Sequence, residues 1–289
     1  MKWFFAVNRA SPGFPLYAEL IAVAVRSARA HAPKLEPHLL YDGPDDPLLD
    51  ELGASGVVVH RLRSFLFDAL KEVAERTGRP QAVQIGAGAF LRLEIPALAD
   101  RMKWADAFVL YTDCDVLFVA DPLPELRNRA PGCFAVAPER AGDFLNMNSG
   151  VMLMNLPGLR SRDDAFRAHA RKHLEHFTHL TWDQEAYRTF YSTRLLSGLE
   201  WDRRILRFTR QLRRKRWGDL PLALNWRPYW GPNPAASIVH FHGLKPQQSH
   251  MIDGPHAEAA LQPLRHLATP HYYELCEQWR RVLTARGVT

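Results

Sequence analysis

Between Ala107 and Phe118 an apolar, β-rich run delivers two carboxylates one residue apart, Asp113-Cys114-Asp115, before the chain turns apolar again. Such a run reads as a buried strand with the aspartates at its carboxyl end. In an extended chain the side chains at i and i+2 share a face, so Asp113 and Asp115 converge while Cys114 points away. Two like charges held together are costly unless a cation sits between them. Oxygen ligands of this kind suit a hard divalent ion, Mg²⁺ or Mn²⁺. Two solvated aspartates at a strand end would leave the same pattern.

The N-terminal residues set the frame for this strand. Lys2 to Val7 reads as a first strand ending at Asn8-Arg9, then a turn-rich loop, Ser11 to Pro15, and a helix from Leu16 to Ala30. Pro37 to Tyr41 reads as a second strand, Pro47 to Leu52 as a short helix and Gly56 to His60 as a third strand. This βαβαβ alternation predicts an α/β fold, a mainly parallel sheet with helices on both faces. Ligands of such sheets bind beyond the carboxyl ends of the strands, so Asn8 and the aspartate pair are expected in one crevice. No Gly-x-Gly-x-x-Gly follows the first strand and no P-loop motif occurs, which argues against dinucleotide and P-loop nucleotide sites. An amphipathic helix carrying Arg92 is expected from Ala89 to Ala99.

Composition narrows the class further. The 289 residues have ordinary apolar and charged fractions, as in a globular chain with a sizeable core. The longest apolar runs, Trp3 to Val7 and Leu20 to Val25, are too short to span a bilayer, and the start lacks a signal-peptide pattern. Three cysteines without metal-ligand spacing fit a reducing cytosol, so a cytoplasmic protein is expected. A formal charge of +6 favours an anionic partner: a phosphate-rich ligand, an anionic membrane or nucleic acid. The basic run Arg203 to Arg216 reads as a helix with a solvated cationic face. That run and an aromatic-basic tail (Tyr272, Tyr273, Trp279, Arg280, Arg281) could also hold the chain against the inner face of an anionic membrane.

Further along lie three polar stretches: Asn148-Ser149-Gly150 ahead of an apolar strand, Asp183-Gln184 opening a helix, and His240-Phe241-His242-Gly243-Leu244-Lys245-Pro246 after a late strand. An imidazole beside two carboxylates would shift preference toward Mn²⁺. A glycine allows close backbone approach to phosphate, and a lysine neutralises it. Asp183 would equally suit a helix N-cap.

Together with Phe90-Leu91-Arg92-Leu93-Glu94-Ile95-Pro96 and Tyr111-Thr112-Asp113-Cys114-Asp115, these stretches resemble, in order, the retaining glycosyltransferases of family 8. That group contains glycogenin and bacterial lipooligosaccharide galactosyltransferases. The resemblance implies a GT-A nucleotide-diphospho-sugar transferase fold over residues 1–250, followed by a C-terminal helical tail, 251–289. It makes Asp113, Asp115 and His240 the metal ligands, with Asp113 also toward the donor. Ala6 and Asn8 would lie near the uracil and ribose, and Arg92 near the donor's sugar or phosphates. Gly243 and Lys245 would hold the diphosphate. Asn148, Asp183 and Gln184 would surround the transferred sugar as the catalytic group. Only Leu244 separates Gly243 from Lys245, where the family has two residues, and Gln247 replaces its usual tryptophan. That departure leaves His242 as an alternative ligand.

The implied activity is metal-dependent transfer of a hexose from a UDP-sugar to a glycan or lipid-linked acceptor hydroxyl, with retention at the anomeric carbon. No strong base is needed if the leaving phosphate takes the acceptor's proton; a double displacement is the other route. A sugar nucleotidylyltransferase would open with a Gly-rich loop, whereas Asn8 to Phe14 holds only Gly13. A basic nucleic-acid-binding protein would leave the aspartate pair and the His240 stretch unexplained.

Overall fold

The computed structural model describes residues 1–193, 214–252 and 257–285. Strand β1 (Lys2–Asn8) is buried almost throughout, as expected of a strand covered on both faces. It is followed by helix α1 (Phe14–His31), strand β2 (Glu36–Asp42), helix α2 (Pro47–Ala54), strand β3 (Val58–Arg61) and helix α3 (Phe67–Thr77). Local chemistry sets these boundaries. Asp46 caps α2 by accepting from Leu48 N–H, with Pro47 next to it, where a missing N–H costs nothing. Gly78, at φ +65°, closes α3 in the left-handed conformation that favours glycine.

Four further strands complete the frame: β4 (Phe108–Thr112), β5 (Val116–Phe118), β6 (Phe134–Pro138) and β7 (Met147–Asn155). A seven-stranded sheet runs from the two-residue strand Gly218–Asp219 through β6, β7, β4, β1, β2 and β3. All pairings are parallel except those of β7, which runs antiparallel to both β4 and β6. The reversal has a consequence for function. It brings the first residues of β7, Asn148 to Gly150, to the edge where β1 and β4 end.

The run expected as one strand from Ala107 to Phe118 is broken. Asp113, Cys114 and Asp115 form a bend after β4, and β5 leaves the main sheet to pair antiparallel with Ile238–His240. The carboxylates still converge, but through a bend rather than through strand alternation. The helix expected from Ala89 to Ala99 is also broken, into a 3₁₀ turn, Phe90–Glu94, and a helix, Ile95–Arg101. The cause is Pro96, whose ring would clash with the Arg92 carbonyl in a continuous α-helix.

Side chains alternate between the two faces of the sheet. Trp3 and Phe5 pack with α1 and α2, while Phe4 packs with α3 and the segment Phe90 to Ala99. By length and composition, Gln81–Arg101 would suit a membrane span, and the short apolar runs did not reveal it. In the structure 61% of its most apolar window is buried in the protein, where it walls the sheet.

A third cluster joins α1, β5 and the C-terminal helix Pro270–Thr284 through Leu20, Val23, Leu117, Leu275 and Trp279. Tyr272 and Trp279 are 1% and 2% exposed, so these two aromatics of the tail face inward and cannot insert into a bilayer. The boundary expected at residue 250 falls inside a helical turn, Pro246–Met251. Most of Arg203 to Arg216 lies outside the described residues; at its end Arg214–Lys215 pairs antiparallel with Ser192–Thr193.

Candidate metal and nucleotide-sugar site

A cavity of about 430 Å³ opens at the carboxyl edge of β1 and β4. Asp113 N–H donates to the Gly150 carbonyl, and Phe241 N–H donates to the Asp115 carbonyl, each at 2.8 Å. These two bonds tie the bend to β7 on one side and to the His240 strand on the other. His240 Nε2 lies 3.2 Å from Asp115 Oδ1 and 3.7 Å from Asp113 Oδ2. All three ligand atoms lie within 4.8 Å of one another. Adjacent ligands on an octahedral ion with bonds of about 2.1 Å sit roughly 3 Å apart. Two carboxylates and an imidazole at this spacing therefore fit one divalent cation.

Charge beside Asp115 is arranged to keep that carboxylate ionised. Burial opposes the charge on Asp115, but Lys245 and His240 outweigh it and hold its carboxyl well below the usual range. Lys245 Nζ sits 2.5 Å from Asp115 Oδ2 and also donates to the Phe241 carbonyl. The shortened spacing after Gly243 thus still delivers the lysine to the cluster. Gly243 adopts φ +90°, which explains the glycine, but it is not among the cavity's lining residues.

Arg92, 3% exposed, is the second organising cation. It donates to Asp113 Oδ1 at 2.7 Å and to the Ser149 carbonyl at 2.5 Å, and its Nε lies 2.9 Å from Asp183 Oδ2. Its guanidinium rests 4.0 Å from the centre of the Tyr111 ring, an arrangement suited to a fixed, charged fork. Burial raises the Asp183 pKa, Arg92 opposes it, and the result is about 7. Asp183 does not cap its helix, Asp183–Tyr191. Trp182 holds that position, with no side-chain cap bond, at an unfavourable φ of +52°.

The remaining expected residues divide. Ala6 and Asn8 line the cavity. The Asn8 amide, however, serves the protein, donating to the Val83 and Gln84 carbonyls and accepting from Ala10 N–H. Gln184 Oε1 accepts from Ser149 N–H and Asn148 Nδ2, while its Nε2 donates to Glu139. His242 is on the cavity wall but its Nε2 lies 3.5 Å from Glu139 Oε1, apart from the three-residue cluster. Burial, then Arg227, push its pKa down to about 4.

Four contributors escaped sequence reasoning. Tyr17 of α1 lines the cavity, and burial followed by Asp115 raises its phenol's pKa. Glu139, Asn225 and Arg227 stand behind the lining residues. Tyr17 could have been found from its place on the first turn after β1. The other three sit in stretches with no motif.

No protein-family model matches this sequence, and neither does any curated protein sequence. Solved structures do match in shape. The chain is similar to the galactosyltransferase LgtC, solved in complex with donor and acceptor sugar analogs. The TM-score is 0.55 at 15% identity, over 98% of this chain and 100% of that one. It is similar to the glycosyltransferase GlyE of Streptococcus pneumoniae TIGR4, with TM-score 0.54 and 17% identity, over 98% of this chain and 62% of GlyE. It is also similar to the bifunctional glycosyltransferase WbbM, with TM-score 0.52 and 16% identity, over 96% of this chain and 51% of WbbM. The chain therefore spans less than two thirds of GlyE and about half of WbbM. These likenesses show the fold, a mainly parallel α/β sheet of the GT-A type.

Proposed function

We propose that this chain is a metal-dependent, retaining glycosyltransferase. It moves a hexose from a nucleotide diphosphate sugar, UDP-linked by the family resemblance, to a hydroxyl of a glycan or lipid-linked acceptor. The observation that carries the reading is the cluster Asp113, Asp115 and His240 beside Lys245, at the strand ends where this sheet binds its ligands. A bound Mn²⁺ or Mg²⁺ would neutralise the diphosphate as it gains charge while the glycosidic bond breaks.

The protein's own groups supply the rest. Lys245 is placed to pair with the leaving diphosphate, a preorganised charge where negative charge develops. Arg92 bridges Asp113 and Asp183, so the ligand carboxylate and the carboxylate facing the sugar keep a fixed spacing. Asp183 and the second Nε2–H of Gln184, which has no acceptor among the described residues, hold sugar hydroxyls, and Asp183 stabilises positive charge at the anomeric carbon. The leaving phosphate accepts the acceptor's proton, so no further base is required. The nucleotidylyltransferase alternative is not favoured: the loop after β1 has one glycine, Gly13, and the Asn8 side-chain oxygen is committed to Ala10 N–H within it.

A thermal-shift screen of nucleotide sugars tests the reading, since a ligand of the folded state raises the melting temperature. A UDP-sugar should stabilise the chain with Mn²⁺ and not without it, and Asp115→Asn should abolish the shift. Proton NMR of early product from an α-linked UDP-sugar reads the stereochemistry, and a β-linked product would refute retention.

A further inference from the structure

The side chain of Asn148 lies against the cavity, yet its hydrogen-bonding capacity is spent inside the protein. An amide offers two N–H groups and two lone pairs. Asn148 Oδ1 accepts from Gly150 N–H at 2.9 Å and from Asn225 Nδ2 at 2.9 Å. Asn148 Nδ2 donates to Glu139 Oε2 at 2.9 Å and to Gln184 Oε1 at 3.2 Å. A backbone N–H can only donate, so the bond from Gly150 fixes which end of the Asn148 amide is oxygen. That in turn fixes Asn225, which must present Nδ2 to Asn148 and Oδ1 to its other neighbour. The other neighbour is His240 Nδ1, 2.8 Å away. Asn225 is fully buried, at 0% exposure, so bulk solvent does not compete for this bond.

We infer that Asn225 is a positioning residue for the metal site. Its oxygen, oriented through Asn148 by the Gly150 amide, holds the proton of His240 on Nδ1 and so leaves the lone pair on Nε2. In the loaded site that lone pair goes to the cation held with Asp113 and Asp115, whose carboxylates favour a donor on Nε2 when no cation lies between them and the ring. A ligating histidine needs its second nitrogen tied to an acceptor, and such partners set its tautomer and orientation.

A competitor sharpens the inference. Arg227 Nη1 also lies 2.8 Å from His240 Nδ1. A guanidinium has no lone pair to offer, so Arg227 favours the tautomer with Nδ1 unprotonated and the proton on Nε2. The two neighbours therefore ask for opposite tautomers. Arg227 is buried at 0% exposure, and its Nε and Nη2 have no hydrogen-bond partner among the described residues. Asn225 has the chain of amides behind it, and the cation selects the form that Asn225 supports.

The inference rests on reading the cluster as a metal site, and the test keeps the two apart. In the full chain labelled with ¹⁵N-histidine and loaded with Mg²⁺, His240 should show a protonated Nδ1 and a lone-pair Nε2. The opposite assignment in the wild type overturns the inference without any variant. Asn225→Ala should mix the tautomers and weaken Mn²⁺ binding in calorimetry by about 10- to 100-fold, the usual cost of losing such a partner. Asn225→Ser is the second variant should the alanine fail to fold. Arg227→Met should bind Mn²⁺ at least as tightly as the wild type, whereas a merely structural role for both residues has both substitutions weaken it. Equal affinity in wild type and Asn225→Ala overturns the inference alone. A wild type that binds neither ion brings down the metal reading, and this inference with it.

Discussion

Gly150 and His240 are packed so closely that a Cβ on Gly150 would lie 2.1 Å from His240 Cε1 and 2.6 Å from Nδ1. No real Cβ contact is that short, so only glycine at 150 lets the imidazole stand where it meets Asp113 and Asp115. Gly150→Ala should push the ring out of line with the carboxylates. The overpacking should cost about 1–3 kcal/mol of stability, read from urea unfolding. Mn²⁺ affinity should fall at least tenfold in calorimetry of the folded variant. Wild-type affinity in Gly150→Ala would show that the ring has room to move and still ligate.

The two histidines of His240-Phe241-His242 should behave differently. His240 faces both aspartates, whereas His242 faces Glu139. His240→Ala should abolish Mn²⁺-dependent binding of a UDP-sugar, and His242→Ala should change it by less than about tenfold. The reverse order would reassign the ligand.

Much of this site could be read from residue patterns, and the reasons it could not all be read are physical. The βαβαβ frame was legible because buried parallel strands and amphipathic helices impose periodicities on the chain. Asp113 and Asp115 were legible as a pair because i and i+2 side chains converge, and His240 and Lys245 joined them only through the ordered resemblance to a known family, since each alone has a commoner structural use. The antiparallel course of β7 was not legible, since strand direction leaves no mark on side-chain pattern. Nor was the bend at Cys114, because a bend and a strand both bring i and i+2 together. Asn225 is the clearest loss. A lone asparagine in Leu224-Asn225-Trp226 carries no signal, and its meaning comes entirely from Asn148 and His240, which are far away in sequence.

A stacked histidine pair away from the cavity should set acid stability. His38 Nδ1 and His60 Nε2 are 2.9 Å apart, with parallel rings 5.2 Å between centroids. Burial, followed by repulsion from His60, lowers the His38 pKa to about 4, and burial lowers that of His60. The unfolded chain takes up these protons near pH 6.5, but the native chain resists until lower pH. This contribution to stability is intact above about pH 6.5 and is lost as pH falls toward about 4, on the order of 2 kcal/mol. Urea midpoints of wild type and His38→Leu should therefore converge, or cross in favour of the variant, between pH 7.5 and pH 4.5. Parallel midpoints across that range would remove the pair as the cause.

Asp183 has the opposite linkage and the more direct bearing on turnover. Burial and the Asp113 charge raise its pKa, Arg92 lowers it, and it settles at about 7. A carboxyl whose native pKa is raised binds its proton more tightly in the folded chain, so its share of stability falls as pH rises from about 4 to 7. Comparing a variant with the wild type at each pH, as for His38, keeps the two effects separate. In the proposed transfer the ionised form is the one that would pair with Arg92 and face positive charge at the anomeric carbon. Turnover should therefore rise with pH as Asp183 ionises, below about 7 once a bound cation offsets the Asp113 charge. Asp183→Asn should flatten that rise and lower kcat by roughly 10²-fold or more, with KM for the donor changed far less. That split is the signature of a contact used mainly in the transition state. A variant that keeps the wild-type pH profile would assign the rise to another group, and equal losses in kcat and donor affinity would make Asp183 a binding residue.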